Sequence, residues 1–588
     1  SIEALIDKNN SIKSRLKEEK MKGKKNRVLT MFLLLAFILL SCGKTENKAT
    51  EEQNGRGSAE TEKSGEETGE REKAESAELP GLPHLLIEKN EETHRDSDYH
   101  YFYRGGYSKL LLKEEGSEFT ALREALSEYN KEVEEVYQKD FAELVNISSS
   151  SEEARRNVAN FTGSTPEVDS NSFIIRADKS IVSVLQTKSV NYTGNETSYV
   201  HSAVNFDSES GKRLAFSDVV LDSGTFFTLA ENRAKESAGM DTAFPVDFLA
   251  KIKEQGENLC WTVNAEGVSV YYDLNSSGQS LKDPMVLTVY FNEAEDLFNE
   301  KYTKTEEDYV LPLLQRQHLD IDLDGDGKRE PVYLKRQEVD GNFYMNMSVV
   351  ANGRESGIVE GLDGWTYILK KSGKYYLYLF KDEDDGVTFL YRIDLSTVEL
   401  NPDEHWFVDL SNKEYYWKTV DNVDKQHYIQ ESFTDAAGFC GGERNDILST
   451  NTVEIDWLID ENAYPKPAGN RYRVTSNRVL RALQDISAQE VDQNGKVLQD
   501  GTIPAGSYLL LMYSDNEATM EMRIIDEKYV DTVSGGEYGN SYYLNDFSQF
   551  QYDGNCYRIQ IERDRESWTT KVNGIDAEEL FEGMIYVG

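Results

Sequence analysis

The stretch HLDIDLDGDGKREPVYL, residues 318–334, holds the residues whose types and spacing could do chemistry. Asp322, Asp324, Asp326, Gly327 and Glu330 fit the pattern D-x-D-x-D-G-x-x-E. Carboxylates at alternate positions can converge on one cation while the glycine lets the chain turn. The chemistry would be ligation of a hard divalent ion by oxygen, with calcium the expected ion. A solvated acidic turn is the other reading of the same residues. In a second acidic turn, Asp382-Glu383-Asp384-Asp385-Gly386, the carboxylates are consecutive and point to alternating sides, which suits an exposed hairpin turn and not a metal.

The first loop resembles the calcium loops of FG-GAP and dockerin-like repeats. That resemblance implies that Glu330, in ninth position, closes the shell and that Lys328, in seventh, offers its backbone carbonyl. The expected ligands are therefore Asp322, Asp324, Asp326, Lys328 and Glu330, and the expected cofactor is a structural Ca2+ that orders a hairpin. Position twelve is Tyr333, where an EF-hand carries glutamate, and the flanking residues read as strands, so the sequence predicts a hairpin loop.

No motif for covalent or metal-assisted catalysis accompanies it. The seven histidines are scattered, with no H-E-x-x-H pair, and the sequence has no G-x-S-x-G elbow, no P-loop and no C-x-x-C. No catalytic residue is assigned. Paired carboxylates for glycoside cleavage obey no spacing rule, so a cell-wall-acting enzyme or accessory with unrecognised acids is the alternative to a binding protein.

The elements that position these residues begin after a leader. Val28–Leu40 is too short to span a bilayer, where about 20 apolar residues are needed, and it follows the basic run Met21-Lys22-Gly23-Lys24-Lys25-Asn26-Arg27. With Leu39-Leu40-Ser41-Cys42-Gly43 it resembles the lipobox of bacterial lipoproteins. The resemblance implies cleavage before Cys42, a lipid on that cysteine, and anchoring on the outer face of the cytoplasmic membrane of a Gram-positive cell. Residues 1–20 read as upstream sequence translated ahead of a start at Met21, because Lys17-Glu18-Glu19-Lys20 can be encoded by a ribosome-binding run.

Charge and cysteine usage agree with an exported chain. The formal net charge is −42, and removing the nine Lys/Arg and four Asp/Glu of residues 1–41 takes it to about −47. Such a surface repels nucleic acid and attracts cations and basic proteins. Cys260, Cys440 and Cys556 remain after lipidation, an odd number with neither disulfide-framework nor zinc spacing.

Residues 42–97 read as the lipidated cysteine and a disordered tether, being rich in Glu, Lys, Ser, Thr and Gly. Folded sequence is expected from residue 98, in an α+β domain over 98–312, a β-rich domain with the calcium hairpin over 313–462, and a small antiparallel β domain over 463–588. Phe119, Leu122, Leu126, Tyr129, Val133, Val136, Phe141 and Leu144 recur at helical spacing. Strands are expected at 172–177, 180–189, 198–206, 259–274 and 285–291, and short helices at 224–236, 245–255 and 293–301. Tyr375-Tyr376 and Tyr415-Tyr416-Trp417 could stack on sugars or serve as half-buried sheet residues, and Trp261 reads as a core residue.

Asn205-Phe206-Asp207-Ser208-Glu209-Ser210-Gly211-Lys212-Arg213-Leu214-Ala215-Phe216-Ser217-Asp218 resembles the "NFD..TGK.L.L.D" signature of the extracellular module of RsiV-type anti-sigma factors and PdaC-type polysaccharide deacetylases, the DUF4163/DUF3298 type. Trp261-Thr262-Val263-Asn264-Ala265-Glu266-Gly267-Val268-Ser269-Val270-Tyr271-Tyr272 is similar to a later part of it. The turn usually found before the NFD segment is replaced here by Thr193-Gly194-Asn195-Glu196-Thr197, with His201 displaced. The resemblance implies recognition, since in RsiV-type proteins this region binds lysozyme. The expected function is a surface lipoprotein that binds an extracellular protein, such as a lysozyme-like muramidase, or a wall glycan, without catalysis.

Overall fold

The computed structural model describes residues 82–95, 101–113, 118–152, 165–236, 244, 248–256, 259–274, 280–294, 296–339, 344–383, 387–410, 416–420, 422–534, 539–545, 554–564 and 569–586. All belong to the compact unit Lys73–Gly588. The leader, Cys42, the first part of the tether and Asp384–Gly386 lie outside them. The described fold is mostly β, with its sheets almost wholly antiparallel.

The apolar spacing noted above folds as helix α1 (Thr120–Ser150), which buries Leu122, Leu126, Tyr129, Val133, Tyr137, Phe141 and Leu144 along one stripe, whereas Val136, expected on that stripe, is exposed and Phe119 stands at the N-cap. It connects strand β2 (Tyr101–Leu112) to strand β3 (Glu167–Ala177), and these two pair in parallel, as a crossover helix requires. Strands β4 (Ile181–Asn191) and β5 (Ser198–Asp207) extend the sheet by antiparallel pairing. On the other side, β2 pairs with β1 (Leu85–Arg95), which pairs in turn with the distant hairpin Tyr416–Val420 and Val423–Glu431.

Two expected boundaries are corrected here. Leu85–Arg95, assigned to the tether, is an internal strand of a seven-stranded sheet, and folding begins before residue 98. Leu85 and Ile87 are buried, and the polar remainder, EKNEETHR, is held because both of its edges are hydrogen-bonded. The module is also not closed at residue 312, since residues 416–431 complete its sheet.

A second layer, β6 (Trp261–Val263), β7 (Gly267–Leu274) and β8 (Ser280–Tyr290), packs with helices Ser223–Glu236 and Phe248–Glu254 around Phe226, Phe248, Trp261 and Tyr272. The single strand expected at 259–274 is broken where Asn264 Oδ1 accepts the N–H groups of Glu266 and Gly267, both at 2.8 Å. The helix expected at 293–301 shrinks to Glu300–Thr303, capped by Asn299, because Asp296 takes a left-handed φ of 60°.

Strand β9 (Tyr309–Leu313) joins Asp363–Lys371, Lys374–Asp382, Thr388–Asp394 and Glu399–Phe407 in one sheet. The facing sheet holds β10 (Leu319–Ile321), β11 (Glu330–Glu338) and β12 (Met345–Ala351), and Leu311, Ile321, Val332, Met347, Val349, Ile368, Leu377 and Ile393 fill the space between. The expected boundary at 462/463 also moves. Asn451–Ile459 pairs with Gly438–Asn445, with Pro465–Pro467 and with Tyr472–Val474, so the last sheet begins at Gly438. The proline-bearing link read as a spacer forms a three-residue strand in it, a position that tolerates proline when the missing N–H faces away from the ladder. Of the two clusters read as possible sugar platforms, Tyr376 is 1% exposed and a core residue while Tyr375 is half-buried, and the side chains of Tyr415, Tyr416 and Trp417 lie outside the described residues.

Candidate metal centre

The candidate ligands sit on a hairpin. β10 and β11 pair from Leu319↔Val332 to Ile321↔Glu330, which leaves 322–329 as the loop, as the strand-flanked reading expects. Gly325 and Gly327 stand at φ 78° and 84°, a region closed to most side chains. Asp322 accepts the N–H groups of Gly325 (2.8 Å) and Gly327 (3.0 Å), one on each oxygen. Asp324 accepts Asp326 N–H at 3.1 Å, and Glu330 accepts Leu323 N–H at 3.0 Å.

This local folding gathers Asp322, Asp324 and Glu330, whose oxygens lie within 4.8 Å of one another. Oxygens bound to calcium at about 2.3–2.6 Å can stand up to about 5 Å apart across one shell, so the three fit a single ion. Asp326 is not brought into the group. Its carboxylate accepts Lys328 N–H at 2.8 Å and pairs with Lys328 Nζ at 2.7 Å, and both contacts lower its pKa. An all-oxygen donor set of this kind suits calcium over softer metals. An ion there would offset mutual repulsion among the three acids and tie the loop to the start of β11.

Sequence reasoning missed what anchors this hairpin to the preceding layer. The buried ring of Tyr290 lies between two guanidinium groups, Arg329 at 4.0 Å and Arg233 at 4.3 Å. Arg329, inside the loop, also donates to the Asp320 carbonyl (2.8 Å) and to Asn292 (3.1 Å), and pairs with Glu266 (2.9 Å). Arg233 binds Asp320 at 2.7 Å and Glu293, while Tyr290 Oη accepts Asp320 N–H at 2.6 Å. No spacing rule links positions 233, 290 and 329, so no local signal in the sequence marks this anchor.

The NFD segment is a different kind of turn. Asn205 accepts Ser183 Oγ at 2.5 Å and donates to the Trp261 carbonyl at 3.0 Å, fastening β5 to β4 and β6. Phe206 packs edge-on against Tyr129 of α1, with centroids 6.0 Å apart. Asp207 accepts Ser210 N–H (2.9 Å), Ser210 Oγ (2.8 Å) and Tyr302 Oη (2.9 Å) and pairs with Lys301 (2.6 Å). Burial raises its carboxyl, but these partners outweigh it and hold the group at about 2. Gly211 is at φ 67°, and a Cβ there would collide with the Ala121 carbonyl. Lys212 pairs with Asp218 at 2.8 Å, and Asp218 accepts Ala215 N–H at 2.8 Å, closing a capping arrangement.

His201 is buried, its Nε2 3.1 Å from the Lys282 carbonyl, with its pKa lowered by burial. Cys260, Cys440 and Cys556 are buried and outside any disulfide, and burial pushes the Cys260 and Cys556 thiols up, so neither is poised as a thiolate. Trp261 is 6% exposed and stacks edge-on with Phe216, the core role read from its sequence.

No protein-family model matches the chain, and no curated protein is similar to it. Two solved structures that it resembles are DUF3298 family proteins. One, from Bacteroides fragilis NCTC 9343, is 13% identical, covers 38% of this chain and 98% of its own, and has a TM-score of 0.29. The other, from Pseudomonas aeruginosa PAO1, is 10% identical with the same shares and a TM-score of 0.26.

Proposed function

We propose that this chain is a lipid-anchored surface protein that captures a basic extracellular protein, a lysozyme-like muramidase in the concrete version, or a wall component, and does so without catalysis. Cys42 carries the anchor in this reading, and residues 43–81 the tether. The first module is an α+β recognition unit of the DUF4163/DUF3298 type. The loop at 322–330 is an FG-GAP/dockerin-like hairpin whose Ca2+ is structural, held by Asp322, Asp324 and Glu330.

The observation that carries the proposal is charge. A formal net charge of −42 steers cationic partners toward the surface and speeds their encounter. The test is calorimetric titration of the full chain with lysozyme at low and at physiological salt. A one-to-one complex that survives physiological salt is expected. Binding that vanishes with salt would reduce the reading to unspecific attraction, and release of soluble fragments from wall glycan by the chain alone would replace it with an enzyme.

A further inference from the structure

The face of the first sheet turned away from α1 carries a polar groove of about 460 Å³. Two adjacent glycines mark the two faces. A Cβ on Gly105 would meet Tyr137 and Phe141 of α1, whereas one on Gly106 would meet Asp169, Glu91 and Lys89. On that second face the register sets Glu91 between Gly106 and Gln426, and Thr93 between Arg104 and Asp424. Gly106 also faces Asp169 on β3.

Among the described residues, the charges along this groove are ion-paired except at Glu91. Lys89, 3% exposed, bonds Asp169 at 2.5 Å and Asn171 at 2.7 Å. Arg95 pairs with Asp424 at 2.5 Å, and Arg104 with Glu167. Those three pairs use three cations and three carboxylates, and Glu91 is the fourth carboxylate. Among the described residues, the hydrogen bond recorded for its side chain comes from Tyr428 Oη, at a long 3.3 Å. Burial pushes the Glu91 carboxyl up and the Asp169 charge adds to this, while Lys89, the Tyr428 hydroxyl and Arg104 oppose it without cancelling it. Glu91 therefore forms no ion pair among the described residues, and its charged form, half-buried beside a second acid, is only partly compensated by Lys89 and Arg104.

We infer that this groove receives one basic side chain, a lysine ammonium or an arginine guanidinium of a protein partner, with Glu91 as its ion-pair acceptor. The inference deepens the capture reading above and rests on it for the partner's class. An ammonium brings three donors. The Glu91 carboxylate can take one, and the Thr93 hydroxyl and Gln426 carbonyl, which line the same groove, are acceptors for the others. A charge-assisted bond there supplies the direct ion pair that Glu91 lacks.

Saturation-transfer NMR on the full chain tests this with acetyl-Gly-Lys-Gly-amide, its arginine counterpart and its glutamine counterpart as probes. The lysine and arginine methylene protons should show transfer and the glutamine ones should not. Transfer should be lost in Glu91→Gln, and also in Gln426→Lys, which sets a tethered ammonium beside Glu91. It should fade on acidification at a pH above the ordinary glutamate range, because the carboxyl takes up a proton there. Equal transfer from lysine and glutamine peptides, or transfer unchanged in a Glu91→Gln protein that melts normally, would overturn the inference. The lysozyme titration separates the two claims: a lysozyme complex indifferent to Glu91→Gln dismisses the groove and keeps capture. Lysine-peptide transfer at Glu91 without a lysozyme complex keeps the groove and dismisses lysozyme.

Discussion

Asp207 and Asp322 each open a tight turn that ends in glycine and lysine, Asp207-Ser208-Glu209-Ser210-Gly211-Lys212 and Asp322-Leu323-Asp324-Gly325-Asp326-Gly327-Lys328. At Asp207 every partner is supplied by the chain: two donors from Ser210, one from Tyr302 and a lysine ammonium, with the carboxylate buried. At Asp322 the backbone donors are similar, but two further carboxylates converge and the nearby lysine is spent on Asp326. The same residue types therefore make a self-sufficient knot in one place and an uncompensated concentration of negative charge in the other. A signature match identifies neither outcome. What distinguishes them is whether a cation from the chain reaches the acid.

The largest effect should come from closing the first turn. Gly211→Ala adds a methyl that meets the Ala121 backbone at a positive φ, and about 3 kcal/mol or more of stability should be lost in urea unfolding, with or without calcium. Asp207→Asn should lose about 2–3 kcal/mol, again independent of calcium, since it removes the buried carboxylate that Ser210, Tyr302 and Lys301 hold. An equal calcium response at Asp207 and Asp322 would break the contrast.

Acid should report on the same turn. The Asp207 carboxyl is held at about 2 against a usual 3.8, so its stabilisation is present above 3.8 and disappears as pH falls through about 2. That is worth about 2 kcal/mol and should be missing from the acid unfolding curve of Asp207→Asn. Glu443 behaves oppositely. Burial pushes its carboxyl from 4.5 to about 7, so stability should decline as pH rises between those values, by about 2–3 kcal/mol, and Glu443→Gln should flatten the decline.

Arg329→Ala sharpens the comparison at the second turn. It removes a contact with Tyr290 and an ion pair with Glu266, and should cost about 1–2 kcal/mol while weakening the calcium-dependent rise in Tm. The smallest effect is expected for Asp326→Asn. Its carboxylate is occupied by Lys328, so the calcium response should persist, in contrast to the loss expected for Asp322→Asn/Asp324→Asn.

Much of the local structure was legible because it rests on periodicity. The stripe from Leu122 to Leu144 reads directly as α1, and the strands of β3, β4 and β5 stand within a few residues of where alternation puts them. The hairpin around 322–329 was legible because glycine and alternate aspartates are local signals. Strand β1 was not, since its polar half is held only by pairing with Val423–Glu431, more than 300 residues away in the chain and invisible to any window. The groove at Glu91 was hidden for the same reason: it exists only once β1, β2, β3 and the distant strand are adjacent. Asp326 was assigned to the metal by spacing alone, whereas Lys328, two residues on, competes for it.

The central claim is that the hairpin needs a cation that the NFD turn supplies for itself. Calorimetric titration of calcium into the chelator-treated full chain tests it most directly. One saturable site is expected, filling by the millimolar range typical of extracellular modules and absent from Asp322→Asn/Asp324→Asn while present in Asp207→Asn. No calcium heat in the unaltered chain, or equal heat in the Asp322/Asp324 variant, would contradict it.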